Sequence, residues 1–380
     1  MKYPIYFDYN ATTPCHPQVV EHMLPYFSTH FGNASSKSHP YGWMAEDAVE
    51  TAREELARLI GANPKEIIFT SGATESINLA IKGVFEQYSN QNQHYITCKT
   101  EHKAVLDTFK SIEAKGAKVT YLPVDNEGMV DLKGLAEAIQ PDTKMISLMW
   151  ANNETGVIHP VEEIAMLAEE RDIIFFTDAV QAVGKIPVST KNIHMMALSA
   201  HKFYGPKGVG ALYIRHNHPL PKPKALIEGG GHEKGFRSGT LQVPAIVGLG
   251  SAASLALKNM KDESKRLESL RNKLESGILE LEGTKLNSSQ NNRLPHVSNI
   301  SFEGVEGEEL LRKLNKELAV SSGSACTSIS PKPSHVLQAM GISPDLGKAS
   351  VRFSLGITTT ESDVDFAIAY VKETIASLRA

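Results

Sequence analysis

A lysine and an aspartate stand where two predicted buried strands end. Lys202 follows the apolar run at residues 195–198 and precedes a glycine-rich turn, while Asp178 ends the strongly apolar run at residues 173–177. A lone lysine in such a place is usually a solvated surface residue, but a carboxylate at the end of a buried strand needs a cation or several donors. If both strand ends meet at one sheet edge, Lys202 could form a Schiff base and Asp178 could pair with a pyridinium nitrogen. Those are the two groups that a pyridoxal phosphate (PLP) enzyme requires.

A short polar segment, SGATES at residues 71–76, lies between a predicted strand and a predicted helix. Backbone N–H groups at a helix N-terminus, among small and hydroxyl residues, can bind an anion. A simple helix cap by Ser71 or Thr74 explains the same residues. The segment has neither the Walker lysine nor the GxGxxG spacing of nucleotide sites, so a single phosphate is the ligand that it fits best.

Other polar residues follow strands at the same predicted sheet edge. His102 opens a helix, where it could be a simple cap or could stack on a cofactor ring and move protons. Asn153 belongs to the segment NNETG, which is either an ordinary turn or the amide-bearing part of a ligand site. Gln181, shortly after Asp178, can face the same pocket. Arg352 lies in an apolar strand and could either grip a carboxylate or face water from a sheet edge.

The three cysteines have different surroundings. Cys326 lies in the segment SSGSACTS, which has no hydrophobic periodicity, so we expect an exposed thiol suited to act as a nucleophile. Free cysteines are more often buried and inert, and Cys98, at the end of an apolar strand, fits that description. We assign no role to Cys15. The wide, irregular spacing excludes a disulfide framework and shows no CxxC zinc pattern, so we predict no metal site.

The elements that must position these residues alternate between short apolar strands and helices up to about residue 245. The predicted strands include residues 67–69, 95–97, 119–122 and 145–149, and the helices between them include residues 76–84, 102–113, 132–139 and 161–170. Continuously apolar strands separated by helices indicate an α/β fold. We predict a mostly parallel, seven-stranded type of sheet with helices on both faces.

The alternation then stops, and a smaller α+β domain is predicted to follow. A helical segment at residues 246–281 leads to strands at residues 297–302 and 351–355 and helices at residues 308–317 and 361–378. We place a large domain at residues 13–257 and a small domain at residues 1–12 and 258–380, the small one carrying Cys326. Residues 287–292 are predicted to be a flexible loop because of their polar composition.

The composition is that of a globular protein. Of the 380 residues, 41% are hydrophobic and 22% charged, so a sizeable core can form. The net charge of −4 argues against a nucleic-acid partner, which would favour a basic surface. No apolar run approaches the roughly 18 to 20 residues that cross a bilayer. The first residues lack the pattern of a secretory signal, so we predict a cytoplasmic protein without membrane contact.

Together these motifs resemble the cysteine desulfurases of the NifS/IscS type, in the class V aminotransferase family of fold-type I PLP enzymes. The resemblance covers nearly the whole chain, and its segments are long and occur in the same order. They are SGATES at Ser71, TEHKAVLD at Thr100, NNETG at Asn152, SAHKFYGPKGVGALY at Ser199, RSGT at Arg237, SSGSACTS at Ser321 and RFSLG at Arg352.

The resemblance implies a role for each residue near the cofactor ring. Lys202 would carry PLP covalently, and His102 would stack on the ring and shuttle protons. Asp178 would pair with the pyridinium nitrogen, and Gln181 would bond the ring oxygen. Asn153 would contact both the cofactor and the substrate.

The resemblance also implies how the two charged ends of the site are bound. The cofactor phosphate would be held by Ala73, Thr74, Ser199, His201 and, from the neighbouring subunit, Thr240. That last contact implies a homodimer with shared sites. Arg352, together with Asn153, would hold the substrate carboxylate.

The implied activity is conversion of L-cysteine to L-alanine, with the sulfur held as a persulfide on Cys326. The persulfide would pass to an acceptor protein, such as an iron–sulfur scaffold, or to a thiolation pathway. Two alternatives stay open: an enzyme that prefers selenocysteine, and a non-catalytic subunit of a sulfur-transfer complex. The intact set of Lys202, Asp178, His102 and Cys326 argues against the second.

Overall fold

The computed structural model describes residues 3–89, 92–216, 221–322 and 333–380. Its helices are α1 (Pro17–Met23), α2 (Pro25–Ser28), α3 (Pro40–Ile60), α4 (Ala73–Gln87), α5 (Lys103–Glu113), α6 (Leu132–Ala138), α7 (Val161–Glu169), α8 (Val243–Leu279), α9 (Gly307–Leu314), α10 (His335–Ala339), α11 (Pro344–Lys348) and α12 (Glu361–Arg379). Its strands are β1 (Ile5–Tyr6), β2 (Ile67–Thr70), β3 (His94–Cys98), β4 (Lys118–Leu122), β5 (Thr143–Ser147), β6 (Ile174–Asp178), β7 (Met195–Ser199), β8 (Gly210–Ile214), β9 (Thr284–Leu286), β10 (Val297–Phe302), β11 (Leu318–Ala319) and β12 (Ser350–Ser354).

The largest sheet has seven strands in the order β2-β8-β7-β6-β5-β3-β4. The five strands from β7 to β4 pair in parallel, whereas β8 runs antiparallel to both β7 and β2. Successive strand residues face opposite sides. One side packs against α3, α7 and the first part of α8, and the other packs against α4 and α5. The predicted α/β fold with a mostly parallel, seven-stranded sheet between helices is confirmed.

A second, smaller core forms in the C-terminal part of the chain. The antiparallel sheet β12-β10-β9 packs against α9, α12 and the second part of α8. Phe7 from the N-terminus is buried in the same core, and the adjacent β1 pairs in parallel with β11. This is the predicted α+β part of the fold. The predicted domain limits stay a prediction, since α8 continues without interruption across residue 257.

The long helix α8 is more apolar than the sequence interpretation allowed. Among the described residues it is long and apolar enough, by those two criteria alone, to cross a membrane, with a mean hydropathy of 1.2 over its best window. Its first part is buried against α3. The two helices approach closely, because a Cβ on Gly250 would lie 2.5 Å from the Cα of Ala52. Contacts of this kind are those of a core helix.

The prediction of a flexible loop at residues 287–292 is wrong at its first residues. Asn287 is buried, and its Nδ2 donates to Asn299 Oδ1 at 2.9 Å and to Ser301 Oγ at 2.6 Å. Polar side chains are stable inside a protein when they satisfy each other's hydrogen bonds. The side-chain amide of Asn287 is therefore part of an internal network of hydrogen bonds.

Candidate active site

A cavity of about 610 Å³ opens beyond the carboxyl ends of β5, β6 and β7. Ligands of open α/β sheets bind at this edge, because the loops after parallel strands converge there. Of the predicted site residues that the structure describes, all except Thr240 line this one cavity. They are Ala73, Thr74, His102, Asn153, Asp178, Gln181, Ser199, His201, Lys202 and Arg352.

Lys202 lies in a single 3-10 turn, Ala200–Lys202, directly after β7. Its Nζ donates to the carbonyl oxygen of Asn10 at 2.6 Å and to that of Ala11 at 2.7 Å. Carbonyl oxygens at these distances hold an ammonium group by charge-assisted hydrogen bonds. The N-terminal segment therefore runs beside the lysine and forms part of the cavity wall.

Asp178 is the last residue of β6 and is buried. Its Oδ1 accepts a hydrogen bond from the N–H of Val180 at 3.0 Å. Burial raises the pKa of the Asp178 carboxyl, while His102, the Val180 N–H and Lys202 act in the opposite direction. A cationic group of a ligand, placed against this carboxylate, would stabilise its charge and would itself be kept protonated.

His102 is the N-cap residue of α5, and its Nδ1 accepts a hydrogen bond from the N–H of Ala104 at 3.1 Å. That bond requires a lone pair on Nδ1, so the neutral ring carries its proton on Nε2. Burial lowers the pKa of His102, although Asp178 opposes the shift, and this also favours the neutral ring. A neutral ring fixed along one edge is suited to stack on a flat ligand. Uptake of a second proton would require the loss of the cap bond.

The predicted anion-binding turn forms at the start of α4. Its N-cap residue Gly72 offers no side-chain cap, so the first backbone N–H groups, at Ala73 and Thr74, have no acceptor within the helix. Gly210 of β8 packs against this turn, since a Cβ there would lie 2.7 Å from the Cα of Gly72. The arrangement differs from a simple cap by Ser71 or Thr74. Free N–H groups at the positive end of a helix dipole favour a phosphate.

Asn10 connects several of the cavity residues, and sequence reasoning missed it. Its carbonyl oxygen accepts from Gln181 Nε2 at 3.0 Å in addition to Lys202. Its side chain donates from Nδ2 to the Asn153 carbonyl at 3.0 Å and bonds His296 Nε2 at 2.8 Å through Oδ1. In the sequence, Asn10 lies in the polar segment at residues 10–13, and no apolar strand or motif marks it as a site residue.

His201 follows Ser199 into the cavity wall from the end of β7. Its Nδ1 lies 3.1 Å from Thr12 Oγ1. Burial, with the nearby charges of Lys202 and Lys207, lowers the pKa of His201 to about 4, so the ring is neutral at neutral pH. A neutral imidazole can donate one hydrogen bond to an anion without carrying a charge.

Arg352 belongs to β12 and is only 2% exposed, so the alternative of an edge-strand arginine facing water is excluded. Its Nη2 bonds Asp8 Oδ1 at 2.6 Å, and its Nη1 donates to the Asn153 carbonyl at 2.9 Å. Its buried Nε has no hydrogen-bond partner among the described residues. A buried donor without a partner is costly, so the guanidinium has capacity for an anion of a ligand.

Thr240 and Cys98 are described residues that do not line this cavity. Thr240 is exposed and lies outside it. Cys326 lies outside the described residues. Cys98 is buried, and burial raises the pKa of its thiol to about 11, as expected of an inert core cysteine. Within the described ranges, no cluster of three or more His, Cys, Asp or Glu side chains could hold a metal ion.

The groups around the cavity match the chemical parts of PLP. The glycine-capped start of α4 could receive its phosphate, and the Lys202 amine could bond its aldehyde. The buried Asp178 carboxyl, whose charge lacks full compensation, could pair with its ring nitrogen. The flat edge-fixed ring of His102 completes the set. The residues present therefore fit this cofactor.

Comparisons with known proteins agree with this chemistry. The family model described as "Aminotransferase class-V" matches residues 5–366. A protein of Anaeromyxobacter dehalogenans named "Cysteine desulfurase IscS" is 53% identical, over 100% of this chain and 94% of its own length. A protein of Methylococcus capsulatus with the same name is 50% identical, with the same coverage.

Solved structures of similar proteins have the same fold. One described as a "NIFS-LIKE PROTEIN" superposes with a TM-score of 0.91 at 39% identity, covering 99% of this chain and 100% of the other. Another, described as "SspA in complex with cysteine", gives a TM-score of 0.83 at 39% identity, covering 92% and 98%. This chain therefore belongs to the class-V aminotransferase family and, within it, to the cysteine desulfurases of the IscS type.

Proposed function

We propose that this protein is a PLP-dependent cysteine desulfurase that converts L-cysteine to L-alanine and passes the sulfur to the thiol of Cys326. The observation that carries the proposal is the convergence of Lys202, Asp178 and the open N-terminus of α4 on one cavity. High identity to relatives named cysteine desulfurases, over the full chain, supports the same conclusion.

The chain's own residues would hold the cofactor at three points. Ala73 and Thr74, with Ser199 and His201, would hold the phosphate. Lys202 would hold the aldehyde end covalently, and Asp178 would pair with the ring nitrogen. PLP supplies an electron sink that weakens the bonds at the α carbon of a bound amino acid. By staying ionised against a protonated ring nitrogen, Asp178 preserves that capacity.

The substrate is oriented by its carboxylate. Arg352 lines the cavity, and Asn153 is fixed through its carbonyl by both Arg352 and Asn10. The two residues would clamp the carboxylate of free L-cysteine. The Lys202 amine would be the group placed to move a proton at the substrate, because the Asn10 and Ala11 carbonyls can bind its protonated form.

The sulfur step uses Cys326, which the family resemblance assigns as the acceptor. Its thiolate attacks the substrate sulfur, the carbon–sulfur bond breaks, and a sulfur–sulfur bond forms. The electron pair of the broken bond stays with the carbon, which takes up a proton. One L-cysteine and one thiol thus yield L-alanine and a persulfide, so atoms and electrons balance. The persulfide is then passed to an acceptor such as an iron–sulfur scaffold protein.

A homodimer in the cytoplasm is part of the proposal. Thr240 is exposed in the single chain, as expected if it reaches the phosphate site of a second copy. Large apolar side chains are also exposed around α2 and the start of α3: Leu24, Phe27, Phe31, Tyr41 and Trp43. A surface with that many exposed apolar residues is typical of a protein–protein contact.

The test is to incubate the full chain with L-cysteine and quantify alanine and sulfide, beside Lys202→Ala and Cys326→Ala. Wild type should form alanine and, with a reducing thiol present, sulfide. Lys202→Ala should form neither, and Cys326→Ala should lose sulfide release. A wild type that shows the visible absorbance of bound PLP but no turnover would rule out the desulfurase. Full turnover in Cys326→Ala would instead rule out that residue as the acceptor.

A further inference from the structure

The segment from Gly229 to Gly239 has an unusual backbone, and its sequence alone suggests no role. Five of its glycines adopt positive φ, and so do two consecutive residues that are not glycine, Glu233 at 47° and Lys234 at 57°. Residues with a Cβ rarely adopt this region and remain there only where surrounding contacts enforce it. Something outside the segment must therefore hold it.

Glu233 is the residue that fastens the segment to the rest of the protein. Its carboxylate forms a bidentate ion pair with Arg53 of α3, at 2.8 and 2.9 Å, and accepts the N–H of Phe69 at 2.7 Å. The side chains of Glu233 and Arg53 are only 2% and 6% exposed. Arg53 is fixed in turn by the Ile67 carbonyl at 2.9 Å. A buried pair with this many hydrogen bonds defines one position for the segment.

The segment then connects to the phosphate end of the cavity. Arg237 donates from Nε to Glu75 Oε1 at 2.9 Å, and Glu75 Oε2 accepts the N–H of Ser71 at 2.8 Å. Although burial opposes it, hydrogen bonds from Arg237 and Ser71 lower the pKa of the Glu75 carboxyl and keep it ionised. Ser71 and Glu75 flank the open helix start at Ala73 and both line the cavity. Contacts thus run without a break from Arg53 to the anion-binding turn.

We propose that Glu233, held by Arg53, is a positioning residue for the phosphate end of the cofactor site. It fixes the glycine-rich segment so that Arg237 can brace the anion-binding turn through Glu75. The same fixation sets the direction in which Thr240, the residue after Gly239, leaves the surface. This inference rests on the proposed PLP function.

A matched pair elsewhere separates this role from a purely structural one. Arg293 and Glu275 form a bidentate ion pair of similar burial, with side chains 8% and 9% exposed, and neither residue lines the cavity. Glu275→Gln and Glu233→Gln both remove the bidentate carboxylate partner of a buried arginine, although Arg53 keeps its ion pair with Glu50 at 3.1 Å. Both variants should lower the thermal midpoint. Only Glu233→Gln should change cofactor binding.

The experiment titrates PLP into the cofactor-stripped full chain and measures its Kd by absorbance, with inorganic phosphate as competitor. For Glu233→Gln, the Kd of PLP should rise about tenfold or more, because the positioned donors of the turn are lost. Inorganic phosphate should compete correspondingly less well. Glu275→Gln should bind PLP like wild type. At saturating PLP, the KM for L-cysteine in Glu233→Gln should stay within about twofold, since the substrate end is untouched.

A second variant covers the case in which Glu233→Gln does not fold. Arg237→Met removes the ion pair with Glu75, and Arg237 is partly exposed, so the variant should fold. Its control is Arg215→Met, which removes a comparable ion pair with Glu169. Arg237→Met should raise the Kd of PLP, and Arg215→Met should not. Since Glu233 and Arg237 act along one path, the double variant should lose less affinity than the two single losses combined.

The possible outcomes distinguish failure of the proposed PLP function from failure of the positioning role of Glu233. A wild type that binds no PLP overturns the proposed function, and this inference with it. A wild type that binds PLP, with unchanged Kd in Glu233→Gln and Arg237→Met, overturns the positioning role alone. Equal losses of PLP affinity in Glu233→Gln and Glu275→Gln would also overturn it, because the effect would then be one of general stability.

Discussion

Arg352 is buried and nevertheless has hydrogen-bonding capacity left. Asp8 and the Asn153 carbonyl each take one terminal nitrogen, and the Nε has no partner among the described residues. The planar guanidinium is thus held in orientation by two contacts while one donor stays available. A lysine at this position would keep the charge but could not make two fixed contacts and offer a third donor.

Arg352→Lys should therefore raise the KM for L-cysteine by about tenfold or more with a smaller change in kcat, because binding of the substrate carboxylate is lost in both the ground state and the transition state. Steady-state kinetics at saturating PLP would measure this. Arg266→Lys is the control, since Arg266 also makes several fixed contacts, to Glu263 and the Thr359 carbonyl, but does not line the cavity. An unchanged KM in Arg352→Lys would refute the assigned contact.

Single site residues were predictable from the sequence where a charged side chain interrupts or ends an apolar strand. Lys202, Asp178 and Arg352 are charged side chains at the ends or in the middle of apolar strands, and each lies at the cavity. Asn10 and Glu233 gave no such signal. Asn10 acts through its backbone carbonyl as well as its side chain, and Glu233 acts through an arginine in a helix distant along the chain. Contacts of that kind depend on tertiary packing, which a local pattern does not encode.

At the scale of elements, the anion-binding turn depends on the close approach of β8 to the start of α4. Gly210 lacks the side chain that would otherwise separate them, since its Cβ would lie 2.5 Å from the Leu198 carbonyl oxygen and 2.7 Å from the Cα of Gly72. These are backbone atoms of the sheet and of the turn, and they cannot move independently of them. An added methyl group must therefore displace the turn.

Gly210→Ala should weaken PLP binding by about tenfold or more and lower the free energy of unfolding by about 1 to 3 kcal/mol, the usual cost of overpacking. A PLP titration and urea unfolding would measure the two effects. Gly347→Ala is the control. Gly347 lies in helix α11, and a Cβ there would meet only the Cβ of Leu337, at 4.0 Å. That variant should bind PLP normally and be slightly stabilised. Normal PLP binding in Gly210→Ala would show that the turn tolerates displacement.

The elements themselves were largely readable from the sequence, and their limits less so. Strand β10 has the predicted bounds, and α5 begins one residue after the predicted His102, which serves as its cap. The predicted helix at 76–84 in fact begins at Ala73 and ends at Gln87. Glycine and small polar residues made its first turn look like a loop, although that turn forms the anion-binding part of the site.

At the scale of the whole molecule, several histidines are buried in the neutral state. Burial lowers the pKa of His159, His194 and His201 to about 4, and it lowers the pKa of His296 well below its ordinary value. In the unfolded chain these rings titrate near 6.5, so between about pH 6.5 and 4 the unfolded state binds more protons than the folded state. Their contribution to stability is complete above pH 6.5 and is lost as the pH falls. The raised pKa of Glu101 and Asp178 acts in the opposite direction, since it stabilises the fold at low pH.

His159 allows the histidine contribution to be measured separately, because neither ring nitrogen has a hydrogen-bond partner in the described part of the chain. Burial lowers its pKa, and the nearby charge of Asp125 opposes the shift. At pH 7, His159→Leu should have the same free energy of unfolding as wild type. Between pH 6.5 and 4, its free energy of unfolding should fall by about 3 kcal/mol less than that of wild type, as linkage predicts for a pKa shift of this size. Urea unfolding at several pH values would measure it. The control is His22→Leu, which replaces an exposed histidine whose Nδ1 lies 2.8 Å from Ser251 Oγ and leaves the buried rings unchanged. If His159→Leu loses stability with falling pH as steeply as wild type, a neutral buried His159 is excluded, and the acid sensitivity must come from the other histidines.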